Sequence, residues 1–179
     1  MGQVSNDSAD TELVRLFERI AERQGRTLAF EEVRGSELLT EPVVVSGTLR
    51  RAEDGRLIRE IQRPRRETHT LYEDRVEITR PNGYSRSVNL KKAPELQALR
   101  YALSAILTGR IEQLREQFEL IWSQQDSAWQ IRMSPLDKDI AKALEALVLR
   151  GCSDRIEAIE LQLSDSEMIR MNIRAPAME

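Results

Sequence analysis

The sequence has very little cysteine, histidine or aromatic side chain. Its 179 residues include one cysteine, Cys152, and one histidine, His69. A single cysteine excludes an internal disulfide and a cysteine metal cluster, so we expect Cys152 to be a half-buried strand thiol. Any histidine metal site or catalytic triad would have to be built around His69. Because aromatic residues make up only 4% of the chain, we expect an aliphatic interior.

The chain also lacks a strong excess of charge and a long apolar run. Lys plus Arg is 27 and Asp plus Glu is 30, a net charge of -3, which argues against a general nucleic-acid or anionic-membrane binder. No stretch is long and apolar enough to span a membrane, and residues 1–10 lack the layout of a signal peptide. Taken literally this predicts a cytoplasmic protein, but the Met-Gly start followed by polar residues also fits a mature domain expressed without its leader.

Features that an enzyme needs are scarce as well. Gly47, Gly55 and Gly83 are isolated, so there is no glycine-rich phosphate loop. The carboxylates fall at predicted turns and on helix surfaces, where solvation explains them. The neighbours of His69, Thr68 and Thr70, would lie on the opposite face of a strand, so His69 is interpreted as an ordinary strand residue. We therefore predict no enzymatic activity, no metal and no cofactor.

Alternating apolar and polar residues predict a protein built mainly of strands. A first helix is predicted to begin with Ser8 or Asp10 as its cap and to end at Gly25. The helix that matters most starts at Pro94, carries an apolar stripe to Leu107 and is stopped by Gly109. Strands are predicted before it at 28–33, 42–51, 56–63, 66–72, 75–80 and 84–90, and after it at 118–123, 128–133, 146–151, 155–163 and 167–174. Short helical stretches are predicted at 110–117 and 137–144.

This order of elements predicts the fold class. A long antiparallel sheet with one apolar face must cover that face, and a helix between its two halves can do so. We predict an α+β fold, an incomplete antiparallel β-barrel formed by a strongly curved sheet, with helices on its concave face. The outer side of the helix from Pro94 should be wet. We predict one domain over residues 9–175, a disordered stretch over 1–8 and a tail over 176–179.

Arginines are concentrated between Arg50 and Arg86. This stretch holds ten arginines and seven acidic residues, an excess of three positive charges. Such an excess could receive an anionic headgroup or an acidic partner. The interleaved carboxylates weaken that field, so the favoured interpretation is a solvated outer face of the sheet that also discourages edge-to-edge aggregation.

Several short segments carry a resemblance to a known family. They are Phe30-Glu31-Glu32, Gly47-Thr48-Leu49, Gln62-Arg63-Pro64, Tyr72-Glu73-Asp74-Arg75-Val76 and Trp129-Gln130-Ile131-Arg132-Met133-Ser134-Pro135, together with the Leu-rich helix and Phe118 to Leu120. From about Leu13 to Arg174 the chain resembles the LolA-like periplasmic carriers of outer-membrane lipoproteins, and within them a divergent branch more than the main carrier.

The resemblance implies an incomplete barrel with a helical lid over an apolar cavity that accepts acyl chains. In that family an arginine inside the barrel bonds to the lid and helps to hold it shut, and it lies in an Arg-Pro step. Here the corresponding stretch is Leu49-Arg50-Arg51-Ala52, without the proline. Arg50 and Arg51 are therefore both candidates for holding the lid.

The functional hypothesis is a periplasmic carrier, with its signal peptide removed, that binds lipid or lipoprotein acyl chains. We expect a monomer that binds no nucleic acid and that receives cargo from a membrane-bound donor and passes it to an outer-membrane acceptor. Two alternatives are a LolB-like outer-membrane lipid acceptor and an accessory module that binds a partner protein through its sheet. The predicted ligand-binding residues are apolar and lie on the strands and the lid: Val43, Val45, Leu49, Leu57, Ile61, Val76, Ile78, Val88, Leu90, Leu96, Leu99, Leu103 and Ile106.

Overall fold

A computed structural model describes residues 6–24, 27–34, 41, 43–165 and 167–174. Within this part of the chain there are eleven strands: β1 Thr27–Arg34, β2 Val43–Arg51, β3 Leu57–Arg63, β4 Glu67–Leu71, β5 Arg75–Thr79, β6 Ser85–Asn89, β7 Phe118–Gln125, β8 Ala128–Pro135, β9 Leu144–Cys152, β10 Arg155–Leu163 and β11 Met168–Arg174. The helices are α1 Asn6–Gln24, α2 Pro94–Thr108, α3 Glu112–Arg115 and α4 Lys138–Ala143, with a 3-10 turn at Leu90–Lys92.

All the described strands belong to one antiparallel sheet. Its order is β6-β5-β4-β3-β2-β1-β11-β10-β9-β8-β7. Two runs of consecutive hairpins are therefore joined at a single seam, where β1 pairs with β11 and Phe30 lies opposite Ile173. The sheet stays open, because β6 and β7 form its two edges. The predicted fold class, an incomplete antiparallel barrel with helices, is confirmed.

The strands form where the sequence alternates. In β2, Val45, Gly47 and Leu49 are buried while the residues between them are partly exposed, as a strand with one covered face requires. Tight turns connect the strands at two glycines: the amide of Gly55 donates to the carbonyl of Ala52, and the amide of Gly83 donates to the carbonyl of Arg80. Pro42, predicted to open the second strand, lies outside the described residues.

Helix α2 forms as predicted and its stripe is covered. Leu99, Leu103 and Ile106 are buried in the main core, and Gly109 adopts the predicted left-handed conformation with φ of 69°. The outer side of this helix, predicted to be wet, is partly exposed at Gln97, Tyr101 and Ser104, and none of its residues is fully exposed. A second side of the helix carries three fully buried alanines, Ala98, Ala102 and Ala105. The helix contacts α1, α3 and α4, in addition to strands β3 and β9.

Helix α1 begins earlier than its predicted caps. It starts at Asn6, so Ser8 and Asp10 lie inside the helix instead of before it. Its apolar side is buried, with Phe17 and Ile20 in the core. Gly25, the predicted stop, and most of the predicted 1–8 and 176–179 segments lie outside the described residues. The division into one domain with two tails therefore stays a prediction.

Half of the eight aromatic residues are buried. All three phenylalanines, Phe17, Phe30 and Phe118, are almost completely buried, and Trp129 joins them in the core. The interior is therefore mainly aliphatic but not wholly so, since large rings fill volume that many methyl groups would otherwise occupy. Cys152 is partly buried at the end of β9, as predicted. No described helix is long and apolar enough to cross a membrane.

Candidate functional site

Most of the predicted ligand-binding residues meet in one place, the inner face of β2 to β6 under α2. Eight of them belong to the main core: Val45, Leu49, Leu57, Val76, Leu90, Leu99, Leu103 and Ile106. Three more pack against its edge and remain partly exposed: Ile61, Ile78 and Leu96. Val88 is partly exposed on the edge strand, and Val43 lies at the rim with 39% of its surface exposed. Whether this face binds a ligand stays a prediction.

The two candidate lid-holding arginines point to opposite faces. Arg50 lies on the outer face, where its guanidinium donates to Glu60 at 3.3 Å. Arg51 lies on the inner face, beside Arg100 and Ser104 of α2. Among the described residues neither arginine has a hydrogen bond to α2. Position alone favours Arg51, and its predicted role in holding the lid stays a prediction.

A buried ion pair inside the sheet is the feature that sequence reasoning misses. Arg59 and Glu32 are 5% and 2% exposed, and an Nη atom of Arg59 lies 2.6 Å from a carboxylate oxygen of Glu32. The guanidinium also lies over the ring of Phe30, 4.9 Å from its centroid. The alternation of β3 does place Arg59 on the same face as Leu57 and Ile61. Its partner lies two strands away, on β1, and no local pattern could identify it.

Arg59 therefore corrects the interpretation of the arginine-rich stretch as a solvated outer face. Nine of its ten arginines do have at least part of their surface exposed, but one of these, Arg51, lies on the inner face, and Arg59 is buried. Removing a charge from water is costly unless a partner and hydrogen bonds compensate it, and Glu32 supplies that compensation. The inner face of the sheet around this pair is apolar, so the two charges compensate each other inside the core.

A second polar group lies farther along the same face. Glu67 accepts a hydrogen bond from Arg80, at 2.7 Å, and lies 3.2 Å from Nε2 of His69. Burial alone would raise the pKa of Glu67, but the hydrogen bonds from His69 and Arg80 outweigh it, so the pKa of Glu67 lies below its usual value of 4.5. His69 is therefore a strand residue, as predicted. Its hydrogen bond to Glu67 lies within β4, and the hydrogen bond from Arg80 connects the ends of β4 and β5.

We expect this group to stabilise the fold in a pH-dependent way. A carboxylate whose pKa is lower in the folded state stabilises it above the pKa of the unfolded state, and that stabilisation is lost as pH falls through the folded pKa. Urea unfolding of wild type and Glu67→Gln should differ at about pH 5, near the unfolded glutamate pKa, and the difference should shrink as the solution becomes more acidic. A difference that grows as the pH falls below about 5 would contradict this assignment.

Two clefts open at opposite ends of β3 and β4. One, of about 330 Å³, lies between the β2–β3 turn and α2 and combines Leu57 and Leu71 with arginines. The other, of about 700 Å³, lies beyond Ile61 and is lined by Arg63, Arg66 and Arg80. Each cleft thus joins apolar residues of the inner face to basic residues at the surface. Nowhere in the described part of the chain do three or more acidic, histidine or cysteine side chains gather as a metal site.

Comparison with known proteins identifies the family of this chain. The family model described as outer membrane lipoprotein carrier protein LolA-like matches residues 4–177. The chain belongs to this LolA-like family. Its members are carrier or binding proteins and not enzymes. No curated protein matches the chain in sequence.

Solved structures resemble this LolA-like chain at the level of the fold. A DUF1329 family protein from Desulfovibrio piger has a TM-score of 0.50 at 8% identity, covering 93% of this chain and 90% of its own. A LolA superfamily protein from Nitrosomonas europaea has a TM-score of 0.48 at 9% identity, covering 89% and 90%. A putative outer membrane lipoprotein-sorting protein domain from Vibrio parahaemolyticus has a TM-score of 0.48 at 9% identity, covering 94% of this chain and 93% of its own. At identities this low, the similarity extends to the fold alone.

Proposed function

We propose that this LolA-like chain carries the acyl chains of a lipid or lipoprotein against the inner face of β2 to β6, at the edge of α2. The observation that carries the proposal is the partly exposed apolar group Ile61, Ile78 and Leu96, which continues the buried core out to the surface. Family membership supports carriage or binding over catalysis. The carrier would act in the periplasm, between a membrane-bound donor and an outer-membrane acceptor.

The packing of α2 supports a mechanism based on competition. Leu99, Leu103 and Ile106 already cover the sheet, so a long acyl chain would have to displace part of α2 or extend its apolar stripe outward. Each methylene removed from water contributes about 0.8 kcal/mol, so a chain of moderate length can compete with a few leucine contacts. Release would follow when α2 packs back on the same surface. Binding of this kind needs no directional contact with the chain itself.

Affinity should therefore follow ligand length and not ring chemistry. Leu, Val and Ile side chains offer non-directional apolar area, whereas aromatic ligands gain most from stacking partners. We expect saturated fatty acids of increasing length to displace a fluorescent fatty-acid probe with steadily higher affinity until the available surface is covered. Flat aromatic acids of equal apolar area should compete more weakly.

The variants that test this proposal should leave the core intact. Leu103→Glu would place a carboxylate in a fully buried site and risks unfolding the chain. Ile78→Glu changes a partly exposed inner residue, and Ser87→Glu adds the same charge to the outer face of the neighbouring strand. We expect Ile78→Glu to lose the probe and Ser87→Glu to keep it. Equal binding by both variants, with no dependence on chain length, would overturn carriage and favour a module that binds a partner protein through its sheet.

A further inference from the structure

The smaller cleft, between the β2–β3 turn and α2, contains two arginines whose guanidinium groups are incompletely satisfied. Arg51 enters it from the end of β2, and Arg100 enters it from α2 beside Ser104. The Nε atoms of both side chains are buried and have no hydrogen-bond partner. No ion pair to either residue is found among the described residues. A buried guanidinium nitrogen without an acceptor is costly, so an acceptor that enters this cleft would be bound favourably.

The third arginine of the cleft differs because it is already paired. Arg56 donates to the carboxylate of Asp54 at 2.6 Å and to the hydroxyl of Tyr72 at 3.0 Å. The hydrogen bond from Arg56 holds the pKa of Asp54 below its usual value, so that pair stays charged on both sides and internally neutral. The positive charge left to act on a ligand is therefore that of Arg51 and Arg100, and the remaining acidic residue in the described lining is the exposed Glu73.

Local contacts hold both guanidinium groups in place. Arg100 lies over the ring of Tyr101, 4.6 Å from its centroid, which leaves the edge of the guanidinium free to donate. Arg51 lies against the turn at Gly55, where a Cβ atom would come within 3.3 Å of Nη2 of Arg51. Gly55 also has φ of 88°, a conformation that favours glycine, so a larger residue there would strain the turn that Arg51 lies against.

The floor of the cleft is apolar. Leu57 and Leu71 lie opposite each other on β3 and β4 and are buried in the main core. A ligand whose anionic end rests between the arginines would therefore meet leucine side chains immediately below. A basic opening above an apolar floor fits an amphiphile and not a uniformly polar anion.

We infer that Arg51 and Arg100 form a binding site for the anionic head of the acyl ligand, a carboxylate or a phosphate, and that the bound anion links the sheet to α2. This inference rests on the proposed function and adds to it the charge of the cargo. Two guanidinium groups donating to one anion give charge-assisted, directional hydrogen bonds, which the apolar interior cannot supply. The same bonds would tie β2 to α2 while the ligand is bound.

The test compares ligands that differ only in the head. Tetradecanoate and tetradecanol have the same number of carbon atoms, but only the acid is anionic at neutral pH. We expect wild type to prefer the acid by about tenfold or more, as a charge-assisted hydrogen bond implies. Arg51→Gln and Arg100→Gln should each reduce the preference for the acid without weakening the binding of tetradecanol. Arg100→Lys should keep part of the preference. Arg65→Gln, an exposed arginine of the β3–β4 loop, should behave as wild type.

Each result separates this site from the proposed carriage. If tetradecanol binds and the preference for the acid survives Arg51→Gln with Arg100→Gln, the anion site is overturned while carriage stands. If neither amphiphile binds wild type, carriage fails, and the site is then decided by inorganic phosphate. Thermal stabilisation by phosphate that is lost in both glutamine variants supports an anion site whose source is free phosphate. Equal stabilisation of wild type and both variants, or none in any, overturns it.

Discussion

Glu32→Gln should lower the free energy of unfolding by about 3 kcal/mol or more, because it leaves the Arg59 guanidinium charged inside the sheet without its compensating carboxylate. The two groups are only 2.6 Å apart and neither reaches solvent to a significant extent. Urea unfolding measures the change, and the slope should stay the same if only the native state is affected.

The neighbouring residue provides a matched control. Glu31 occupies the other face of β1 and pairs with Arg174 in a partly exposed salt bridge. Glu31→Gln makes the same chemical change there and should cost less than about 1 kcal/mol. A double variant, Glu32→Leu with Arg59→Met, removes both charges and should recover most of the stability, since apolar replacement of a buried pair is often neutral or better. A Glu32→Gln variant as stable as wild type would show that the Arg59 charge does not depend on the Glu32 carboxylate for its compensation.

Gly47→Ala should be comparably severe, for a purely steric reason. A Cβ atom at position 47 would lie 1.8 Å from the carbonyl oxygen of Glu60 on the neighbouring strand, and backbone atoms cannot move aside as a flexible side chain can. The register between β2 and β3 shifts at this point, which brings the two backbones together. We expect a loss of about 3 kcal/mol or more, at the upper end of overpacking effects.

A second glycine separates this steric effect from the general cost of adding a side chain. Gly83 lies in the β5–β6 turn with a φ of 83°, and no described atom lies within 4 Å of the position that a Cβ atom would take. Gly83→Asn should cost about 1 kcal/mol or less, as backbone strain alone, since asparagine tolerates that backbone region better than most residues. Thermal unfolding of the two variants gives the comparison. Equal melting temperatures for them would mean that β2 and β3 can separate at Gly47 without penalty.

The sequence predicts the local elements of this fold well because their causes are local. Alternation along β8, from Trp129 to Met133, and the Asn82-Gly83 turn both depend on residues that are neighbours in the chain. The pairing of β1 with β11 depends on residues far apart, and no periodicity identifies it. The start of α1 at Asn6 is not evident from the sequence because two good capping residues follow it.

The candidate site is predictable in its apolar part and not in its polar part. Leucine spacing on α2 identifies the side facing the sheet, but it does not reveal Ala98 and Ala102 as a second buried side, since alanine is compatible with either environment. An arginine in an alternating strand is usually exposed, so the sequence does not distinguish Arg59 from its many neighbours. Only the fold brings Glu32 within reach and makes the buried position tolerable.

The seam between β1 and β11 also bears on how the chain reaches this structure. Nine of the ten strand pairings join elements that follow one another, and only the seam joins distant segments of the described chain. Hairpins close short loops at small entropic cost, whereas bringing Phe30 to Ile173 closes a loop of well over a hundred residues. Almost all of the sheet can therefore form by pairing strands that are neighbours in the sequence, and only the pairing of β1 with β11 brings distant segments together. For a β-rich chain this lowers the mean sequence separation of contacts, the quantity with which folding rates correlate.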